Sequence, residues 1–406
     1  MQAGLRNYLV ITAGYWGFTI TDGAIRMLVV LYFHQLGYSP MQLAMLFLFY
    51  EFFGVVTNLV GGWLGARIGL NKTMFLGMGL QVIALSMLTV PDAMLTVAYV
   101  MLAQALSGIA KDLNKMSAKA SVKLMLPSQQ KGQSNHADKQ LFKWVAILTG
   151  SKNSLKGAGF FIGAALLSTI GFRSALIVLA GSLLLVLVIT MVLLPADIGK
   201  TTNKPKFSQI FSNTAEINWL SAARFFLFGS RDVWFVVGLP VFLSSVLGWQ
   251  HTEVGAFLAL WIIAYGFVQA MAPQLLRQSH QQTGPDGATS RRWILLLAII
   301  PAVIAIALQL SVNPAVAVVF GLAIFGIVFA INSAIHSFLI LAYSDHDKVS
   351  LNVGFYYMAN AGGRLTGTVL SGLAYQQWGL TGCLWISSAF IITAGLLSSP
   401  LVPDKH

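Results

Sequence analysis

Residues 104–127 read QALSGIAKDLNKMSAKASVKLMLP, and residues 141–163 read LFKWVAILTGSKNSLKGAGFFIG. Both segments belong to apolar runs long enough to cross a bilayer, which takes about 20 residues in a helix. Lysines recur in them at every fourth position: Lys111, Lys115, Lys119 and Lys123, then Lys152 and Lys156. Because residues four apart share a helix face, these lysines form two stripes. A cationic stripe that enters a membrane predicts an anionic partner.

The composition of the chain is typical of an integral membrane protein. Of its 406 residues, 56% are hydrophobic and 9% are charged, whereas about a quarter of the residues in a soluble domain are charged. The net charge of +12 would favour nucleic acid in a soluble protein. Here the basic residues lie in short connections or inside apolar segments, so we expect a lipid bilayer and no nucleic acid as partner. A single cysteine, Cys383, excludes an intrachain disulfide, and the first apolar run is too long for a cleavable signal peptide.

Apolar runs of spanning length predict an all-α membrane protein with twelve transmembrane helices. They lie near residues 7–35, 41–66, 73–91, 94–116, 141–169, 173–194, 214–246, 251–275, 293–312, 314–341, 349–375 and 380–402. Lysine and arginine are concentrated in the even-numbered connections and at both chain ends. Because cytoplasmic loops carry the excess of these residues, both termini are predicted to be cytoplasmic.

The polar segment 196–213 separates these helices into two sets of six. We predict an N-terminal six-helix bundle at 1–194, a cytoplasmic linker at 195–213 and a C-terminal six-helix bundle at 214–406. A weak internal repeat agrees with this division. The motif that follows helix 5 recurs after helix 11 at an offset of 208 residues, which carries Lys156 onto Arg364. The motif that follows helix 1 recurs after helix 7, and its offset brings Asp22 within one position of Asp232.

Charged residues inside the predicted helices are unbalanced in favour of cations. The cations are Arg26, Lys111, Lys152, Lys156, Arg224, Arg231 and Arg364, and the acids are Asp22, Glu51, Asp112 and Asp232. Charges inside a membrane are costly and are usually retained for function. We therefore predict an anion site with Lys111, Lys115, Lys152, Lys156 and Arg364 as principal contacts. Arg26, Arg224 and Arg231 are further candidates, and Tyr356 and Asn360 share a helix face with Arg364. The four acids are candidates for proton coupling, because a buried carboxylate can exchange protons.

Simpler interpretations remain open for several of these charges. Asp22 with Arg26, and Arg231 with Asp232, are equally well explained as structural ion pairs. Lys111 could snorkel to the membrane surface. Lys119 and Lys123 are best explained as a solvated face or a contact with lipid headgroups.

Polar faces on several helices predict a water-filled central cavity between the two halves. Gln104 and Ser107 continue the lysine stripe of helix 4, and Asn332 and His336 share a face of helix 10. Gly159 and Gly163 lie on the lysine side of helix 5, where small residues allow close helix contact.

Motifs for catalysis are missing from the sequence, so we expect no enzyme, no catalytic residues and no cofactor. Asp345-His346-Asp347 lacks further ligands and is better explained as a solvated turn than as a metal site. The aromatic residues of helices 1 and 7 are more typical of packing than of a ligand cage.

Residues 62–72 resemble the conserved loop of the major facilitator superfamily, glycine-x-x-x-acid-basic-x-glycine followed by basic residues. Gly62, Arg67, Gly69 and Lys72 fit this pattern, but Ala66 replaces the acid. The resemblance implies a gating role for this loop, and the missing acid leaves the usual locking contact in doubt.

A closer resemblance covers nearly the whole chain. The segments that carry it are Asp22–His34, Phe49–Asn58, Ser107–Ser117 and Trp144–Asn153. They are similar to the organoarsenical-efflux permeases (ArsJ-type) of bacterial arsenic-resistance operons. The segment 127–140 is several residues longer than in that family, and its role is open.

The resemblance implies a multi-pass, monomeric permease of the bacterial inner membrane that exports 1-arseno-3-phosphoglycerate. A partner glyceraldehyde-3-phosphate dehydrogenase supplies this anion by using arsenate in place of phosphate. Three other interpretations stay open: an organophosphate/phosphate exchanger without arsenic specificity, a membrane-embedded enzyme, and a sensor that does not transport.

Overall fold

The computed structural model describes residues 2–38, 46–124, 134–195, 214–276, 284–310, 312–345 and 347–402. Regular structure within these ranges consists of helices, without strands. The α-helices are α1 (Gln2–Gln35), α2 (Leu48–Ile68), α3 (Leu70–Met87), α4 (Val97–Leu124), α5 (Ser134–Ile170), α6 (Phe172–Leu193), α7 (Ala215–Phe235), α8 (Gly238–Ser245), α9 (His251–Leu275), α10 (Gly287–Gln309), α11 (Pro314–Ala342) and α12 (Val349–Leu397). Single 3₁₀ turns lie at Asp92–Met94 and Ser399–Leu401.

Glycines with positive φ end several helices at the predicted breaks. Gly69 (φ 101°) separates α2 from α3, and Gly171 (φ 78°) separates α5 from α6. Within α12, Gly379 (φ 62°) interrupts the helix at the predicted boundary between helices 11 and 12. Only glycine adopts this left-handed conformation without strain, so the sequence alone locates these breaks.

Two predicted helix boundaries and one predicted residue position need correction. Helix α5 begins at Ser134 and not at 141, so the last residues of the predicted polar segment 127–140 are helical. The predicted helix 214–246 is two helices, α7 and α8, with a break at residues 236–237. Glu51 lies in the first turn of α2 and not near the middle of a helix. The predicted linker 195–213 lies outside the described residues except for Pro195, as do residues 125–133.

Seven described segments are long and apolar enough to span a membrane. Their most apolar member is α6, with a mean hydropathy of 3.0, and it exposes Ile177, Leu185 and Val192 on its surface. Apolar side chains in this position suit contact with lipid. Helices α4 and α5, which carry the lysine stripes, are not among the seven. The prediction of twelve spans therefore stays a prediction.

The chain forms two compact units. Unit 1 comprises residues 1–129, 151–212 and 345–358, and unit 2 comprises residues 130–150, 213–344 and 359–406. In unit 1, α4 packs against α2 and α3, and α6 packs against α1 and α3. The predicted bundles at 1–194 and 214–406 are not tested by this grouping.

The core of unit 2 is rich in aromatic rings. Trp234 of α7 is fully buried and lies edge-on to Phe325 and Trp261, with ring centroids 5.1 and 5.9 Å apart. Helix α11 packs against α9 and α10. Such edge-on contacts add to the apolar burial that holds the helices together.

Candidate functional site

A buried ion pair joins α1 to α5 inside unit 1. Lys156 Nζ lies 2.9 Å from Asp22 Oδ2, and the hydroxyl of Tyr50 on α2 donates to Asp22 Oδ1 at 2.5 Å. Asp22 and Tyr50 are almost completely buried. The carboxylate therefore has a charged and a neutral donor, as a buried charge requires.

Glycines bring α1 and α5 close enough to form this pair. A Cβ atom on Gly23 would lie 2.5 Å from the carbonyl oxygen of Lys156, and one on Gly159 would lie 2.6 Å from that of Ile20. At Gly163 the corresponding distance to the Ala24 carbonyl is 2.5 Å. The predicted close approach at Gly159 and Gly163 is thus confirmed, and its consequence is the placement of Lys156 beside Asp22.

A second ion pair lies next to the first. Arg26 Nη2 contacts Glu51 Oε1 at 2.7 Å, and Lys111 Nζ lies 3.7 Å from Glu51 Oε2. Both cations lie over the ring of Tyr50. The guanidinium carbon of Arg26 is 4.0 Å from the ring centroid, and Lys111 Nζ is 3.8 Å from it. The expected pair of Asp22 with Arg26 was therefore wrong: each pairs with a residue of another helix.

The lysine stripe of α4 continues from this cluster. Lys115 contacts Asp112 at 2.6 Å and lies 4.4 Å from the ring centroid of Tyr357. Lys119 donates to the Tyr357 hydroxyl at 2.9 Å and is 2% exposed. The expectation of a solvated face at Lys119 was therefore wrong, because the first turns of α12 cover it. Lys111 also lies 3.8 Å from Asp112 and is largely buried, which argues against snorkelling.

The remaining predicted cation of α5, Lys152, lies one turn before Lys156 and is half-buried. Gln104 and Ser107 are fully buried on α4. In the described chain their side chains have no hydrogen-bond partner. The polar stripe of α4 thus points into the interior of unit 1.

Unit 2 contains its own acid–cation cluster, on α7 and α12. Arg364 Nε donates to Asp232 Oδ2 at 2.9 Å, and Arg231 pairs with Asp232 Oδ1. Asp232 is fully buried. A Cβ atom on Gly367 would clash with the carbonyl oxygen of Gly229, so glycines again set the approach of the two helices. The expected pair of Arg231 with Asp232 is confirmed.

Arg224 lies about two turns before Arg231 in α7, and it is 3% exposed. Its Nε donates to Asn360 Oδ1 at 3.0 Å, and its guanidinium carbon lies 3.4 Å from the ring centroid of Phe228. Tyr356 is fully buried at the predicted face of α12, with its ring edge-on to Tyr357.

The ion pairs of the two units correspond to each other. The internal repeat matches Asp22 with Asp232 and Lys156 with Arg364, and both matched pairs form contacts of 2.9 Å. Each unit therefore holds a buried aspartate against a cation of another helix segment.

The predicted gating loop joins α2 to α3. Gly62 is buried, and the Ser350 hydroxyl donates to its carbonyl oxygen at 2.6 Å. Arg67 is exposed and stacks over Trp63 at 4.9 Å, and Lys72 is also exposed. Ala66, at the position of the missing acid, packs against Leu351. An apolar contact therefore occupies the place of a charge.

A small cavity outside these clusters lies at the end of α11. A cavity of about 240 Å³ is lined by Asp138, Asp286 and Tyr343 among others. Burial raises the pKa of Tyr343 to about 12, and the carboxyls of Asp286 and Glu216 add to this rise. Asp286 is engaged as the cap of α10, where it accepts from Thr289.

Sequence reasoning missed the tyrosines that organise the clusters. Tyr50 contacts charges of three helices, and Tyr357 receives the lysines of α4. Their positions beside predicted site residues could have revealed them, because Tyr50 precedes Glu51 and Tyr357 follows Tyr356. A metal-binding group of three or more ligands is not found in the described chain, and His346 of the Asp345-His346-Asp347 segment lies outside it.

The helical fold, with seven described segments long and apolar enough to span a membrane, is typical of a multi-pass membrane protein. Residues 11–285, more than half of the chain, match the sequence profile described as Major Facilitator Superfamily. The chain belongs to this superfamily. Among proteins of curated function, none matches its sequence.

Solved transporter structures share the fold. The human organic anion transporter MFSD10 (TETRAN) aligns with a TM-score of 0.77 at 14% identity, covering 98% of this chain and 99% of that one. The proton:xylose symporter XylE aligns with a TM-score of 0.75 at 13% identity, covering 99% and 96%. A bacterial homologue of the iron transporter ferroportin in an outward-facing state aligns with a TM-score of 0.73 at 14% identity, covering 97% and 99%. At these identities the likeness concerns the fold alone.

Proposed function

We propose that the protein exports a phosphorylated organoarsenical anion, 1-arseno-3-phosphoglycerate, by alternating access and so confers arsenate resistance. The observation that carries this proposal is that each unit holds a cluster of cations paired with a buried aspartate. In unit 2, Arg231 and Arg364 both pair with a single aspartate, Asp232. Ammonium and guanidinium groups are the donors that suit phosphate and arsenate oxygens. The resemblance to organoarsenical-efflux permeases supplies the identity of the anion.

The principal contacts proposed for the anion are Lys111, Lys115, Lys152, Lys156 and Arg364, and the further contacts are Arg26, Arg224, Arg231, Asn360 and Tyr356. Lys156 and Arg364 hold the matched positions of the two units. Each already binds an aspartate at 2.9 Å. An incoming phosphate or arsenate oxygen would take the place of that carboxylate.

We further propose that Asp22, Glu51, Asp112 and Asp232 couple transport to protons. Each of the four is ion-paired with at least one cation. Because each carboxylate and the anion compete for the same cation, the protonation state of the carboxyl changes the affinity for the anion, which is the link that coupling to protons requires. Proton flux that follows substrate flux in proteoliposomes would support this coupling. Substrate flux without any pH change in the lumen would contradict it.

The membrane arrangement that we propose has twelve spans in two six-helix bundles, 1–194 and 214–406, with a cytoplasmic linker at 195–213. Both termini lie in the cytoplasm of a bacterium, and the monomeric protein resides in the inner membrane. The loop of Gly62, Arg67, Gly69 and Lys72 acts in gating. Reporter fusions at residue 1, at residue 406 and in each predicted loop test the topology, because a periplasmic terminus would contradict it.

The decisive experiment is arsenate tolerance in a hypersensitive bacterium. We expect tolerance only when the permease is expressed with a glyceraldehyde-3-phosphate dehydrogenase that uses arsenate, because the enzyme makes the substrate. Protection by the permease alone would contradict the proposed substrate. The Arg173→Gln variant is a matched control, because Arg173 forms an exposed pair with Asp92 at 2.9 Å outside the clusters.

The alternative is an exchanger of organophosphate for phosphate, because the same cations suit any phosphate ester. Counterflow in proteoliposomes separates the two functions. Exchange of inorganic phosphate for 3-phosphoglycerate, without arsenate tolerance in cells, would favour the alternative.

A further inference from the structure

The ring of Tyr50 lies at the centre of the charge cluster of unit 1. Tyr50 is 0% exposed, and cationic groups of three other helices surround its ring. Lys111 Nζ lies 3.8 Å, the guanidinium carbon of Arg26 4.0 Å and Lys156 Nζ 5.9 Å from the ring centroid. An aromatic ring attracts a cation within about 6 Å of its centroid. All three cations are therefore within reach of one ring.

The ring is fixed at both ends of the residue. A Cβ atom on Gly108 would lie 2.5 Å from the carbonyl oxygen of Tyr50 and 2.8 Å from its Cα atom, so the backbone of α2 packs directly against α4. At the other end, the hydroxyl donates to Asp22 Oδ1 at 2.5 Å. Because the ring itself is held in place, it can hold a neighbouring side chain in place.

Two of the three cations are oriented by carboxylates at hydrogen-bond distance. Arg26 Nη2 donates to Glu51 Oε1 at 2.7 Å, and Lys156 Nζ donates to Asp22 Oδ2 at 2.9 Å. Hydrogen bonds to a charged partner are the strong ones in a protein. The orientation of these two side chains therefore does not depend on the ring.

Lys111 is held differently. The carboxylate oxygens near its Nζ are Glu51 Oε2 at 3.7 Å and Asp112 Oδ2 at 3.8 Å, and both are too far away for a hydrogen bond. Within the described part of the chain this ammonium forms no hydrogen bond, although it has three N–H donors. The Lys111 side chain is 11% exposed, whereas the ring of Tyr50 is enclosed. The lysine is thus charged, positioned by the ring and accessible to an anion.

The acids beside Lys111 show what the ring prevents. Asp112 is 2% exposed, and its Oδ2 atom has no hydrogen-bond partner in the described structure. A buried carboxylate oxygen without a donor is costly, so it would accept from Lys111 if the ammonium could move closer. An anion would then have to displace a carboxylate before it could bind this lysine.

We propose that Tyr50 is a positioning residue for anion binding, whose ring holds Lys111 between Glu51 and Asp112 with its N–H donors available to the phosphoryl group of the substrate. The inference rests on the proposed function for the identity of that substrate. Lys111 differs in this respect from Lys156, where the anion must take the place of Asp22. The ring therefore provides unit 1 with one cation that binds an anion without first breaking a hydrogen bond.

The test measures binding of inorganic phosphate and of 3-phosphoglycerate to the purified full-length protein in detergent. Tyr50→Leu removes the ring and should bind both probes at least about tenfold more weakly, because the anion must then displace a carboxylate from Lys111. Tyr50→Phe keeps the ring and loses only the hydroxyl, so it should bind both probes more tightly than Tyr50→Leu. Phe33→Leu is the matched control, because Phe33 is equally buried in α1 and packs against aromatic rings. It should lower the unfolding temperature and leave the affinity for both probes unchanged.

A double-mutant cycle separates positioning from packing. Lys111→Gln alone should weaken the binding of both probes. In the Lys111→Gln background, Tyr50→Leu should cause little further loss, because the ring acts through the lysine. Equal losses in both backgrounds would overturn the positioning role, and so would equal affinities of Tyr50→Leu and Tyr50→Phe or native affinity in Lys111→Gln.

Tyr50→Met is the second variant without a ring, because its flexible side chain fills irregular gaps. Failure of both Tyr50→Leu and Tyr50→Met to fold would overturn the positioning role, since Tyr50 would then serve the fold. A native chain that binds inorganic phosphate but not 3-phosphoglycerate would overturn the proposed substrate and leave the positioning role in place. A native chain that binds neither probe would overturn both.

Discussion

Lys156→Gln and Asp22→Asn are expected to change anion affinity in opposite directions. The two side chains form one buried contact of 2.9 Å. If the anion replaces Asp22 on Lys156, then loss of the lysine removes a donor, whereas loss of the carboxylate removes a competitor. If the pair serves only to hold α1 against α5, both variants should weaken binding together.

The structure gives the size of these effects. A hydrogen bond to a charged group contributes about 1.5–3 kcal/mol, and about 1.4 kcal/mol corresponds to a tenfold change in affinity. Lys156→Gln should therefore bind the anion about 10- to 150-fold more weakly. Asp22→Asn should bind it about 10-fold more tightly, at the lower end of that range, because the Tyr50 hydroxyl remains at the site. Breaking a buried pair also costs about 3 kcal/mol of folding stability, so both variants should unfold at lower temperatures.

The assay is binding of 3-phosphoglycerate to the purified protein, with arsenate tolerance in cells as the measure of transport. We expect Asp22→Asn to bind tightly and yet export slowly, because nothing displaces the anion from Lys156. Arg173→Gln breaks an exposed pair of equal length. Such surface pairs contribute at most about 1 kcal/mol, so this control should match the native chain. Native affinity in Lys156→Gln, or weaker binding in Asp22→Asn, would refute the exchange of carboxylate for anion.

Three further predictions concern packing, the cover of the lysine stripe and the driving force. Gly159→Ala should lower the free energy of unfolding by about 1–3 kcal/mol, because the added Cβ atom would lie 2.6 Å from the Ile20 carbonyl oxygen. Gly181→Ala is the control, because a Cβ atom there has no neighbour within 4 Å, and it should not lower the unfolding temperature. Tyr357→Phe keeps the ring but removes the acceptor of Lys119, and should cost about 1.5–3 kcal/mol by the same assay; an unchanged unfolding temperature would show that this bond contributes nothing. An inside-negative potential of 100 mV should favour export by about 2.3 kcal/mol for each net negative charge that is moved. The export rate is measured in proteoliposomes, where a potassium gradient and valinomycin set the potential. An export rate that does not depend on the potential would indicate that compensating charge moves with the anion.

The sequence predicts helices and the chemistry of the clusters well, because both depend on local composition. Apolar runs and glycines locate the helix breaks, and the surplus of cations inside the runs predicts an anion site. The internal repeat goes further, since it matches Lys156 with Arg364 and Asp22 with Asp232 before any coordinates are known. In both units the matched residues form an ion pair of 2.9 Å, as a repeat would require.

Sequence reasoning does not predict which side chains contact each other. Spacing along α1 predicts a pair of Asp22 with Arg26. Asp22 instead bonds to Lys156 of α5, because glycines bring the backbones of α1 and α5 together. Arg26 bonds to Glu51 of α2. Lys119 is four residues beyond Lys115 and was expected in solvent, but it is covered by Tyr357, 238 positions later in the chain. Such contacts between distant segments leave no periodic signal.

The pairing of acids with cations in both units has a consequence for the transport cycle. An unpaired buried cation is strongly destabilising, whereas a paired one is tolerated. A transporter of anions must keep its cations after the anion has left, so it needs a negative charge that returns to them. Asp22 and Asp232 lie at 2.9 Å from Lys156 and Arg364 and can fill this role. If the proposed substrate is right, the carboxylates are internal substitutes for it, and this would explain why each unit keeps an acid among its cations.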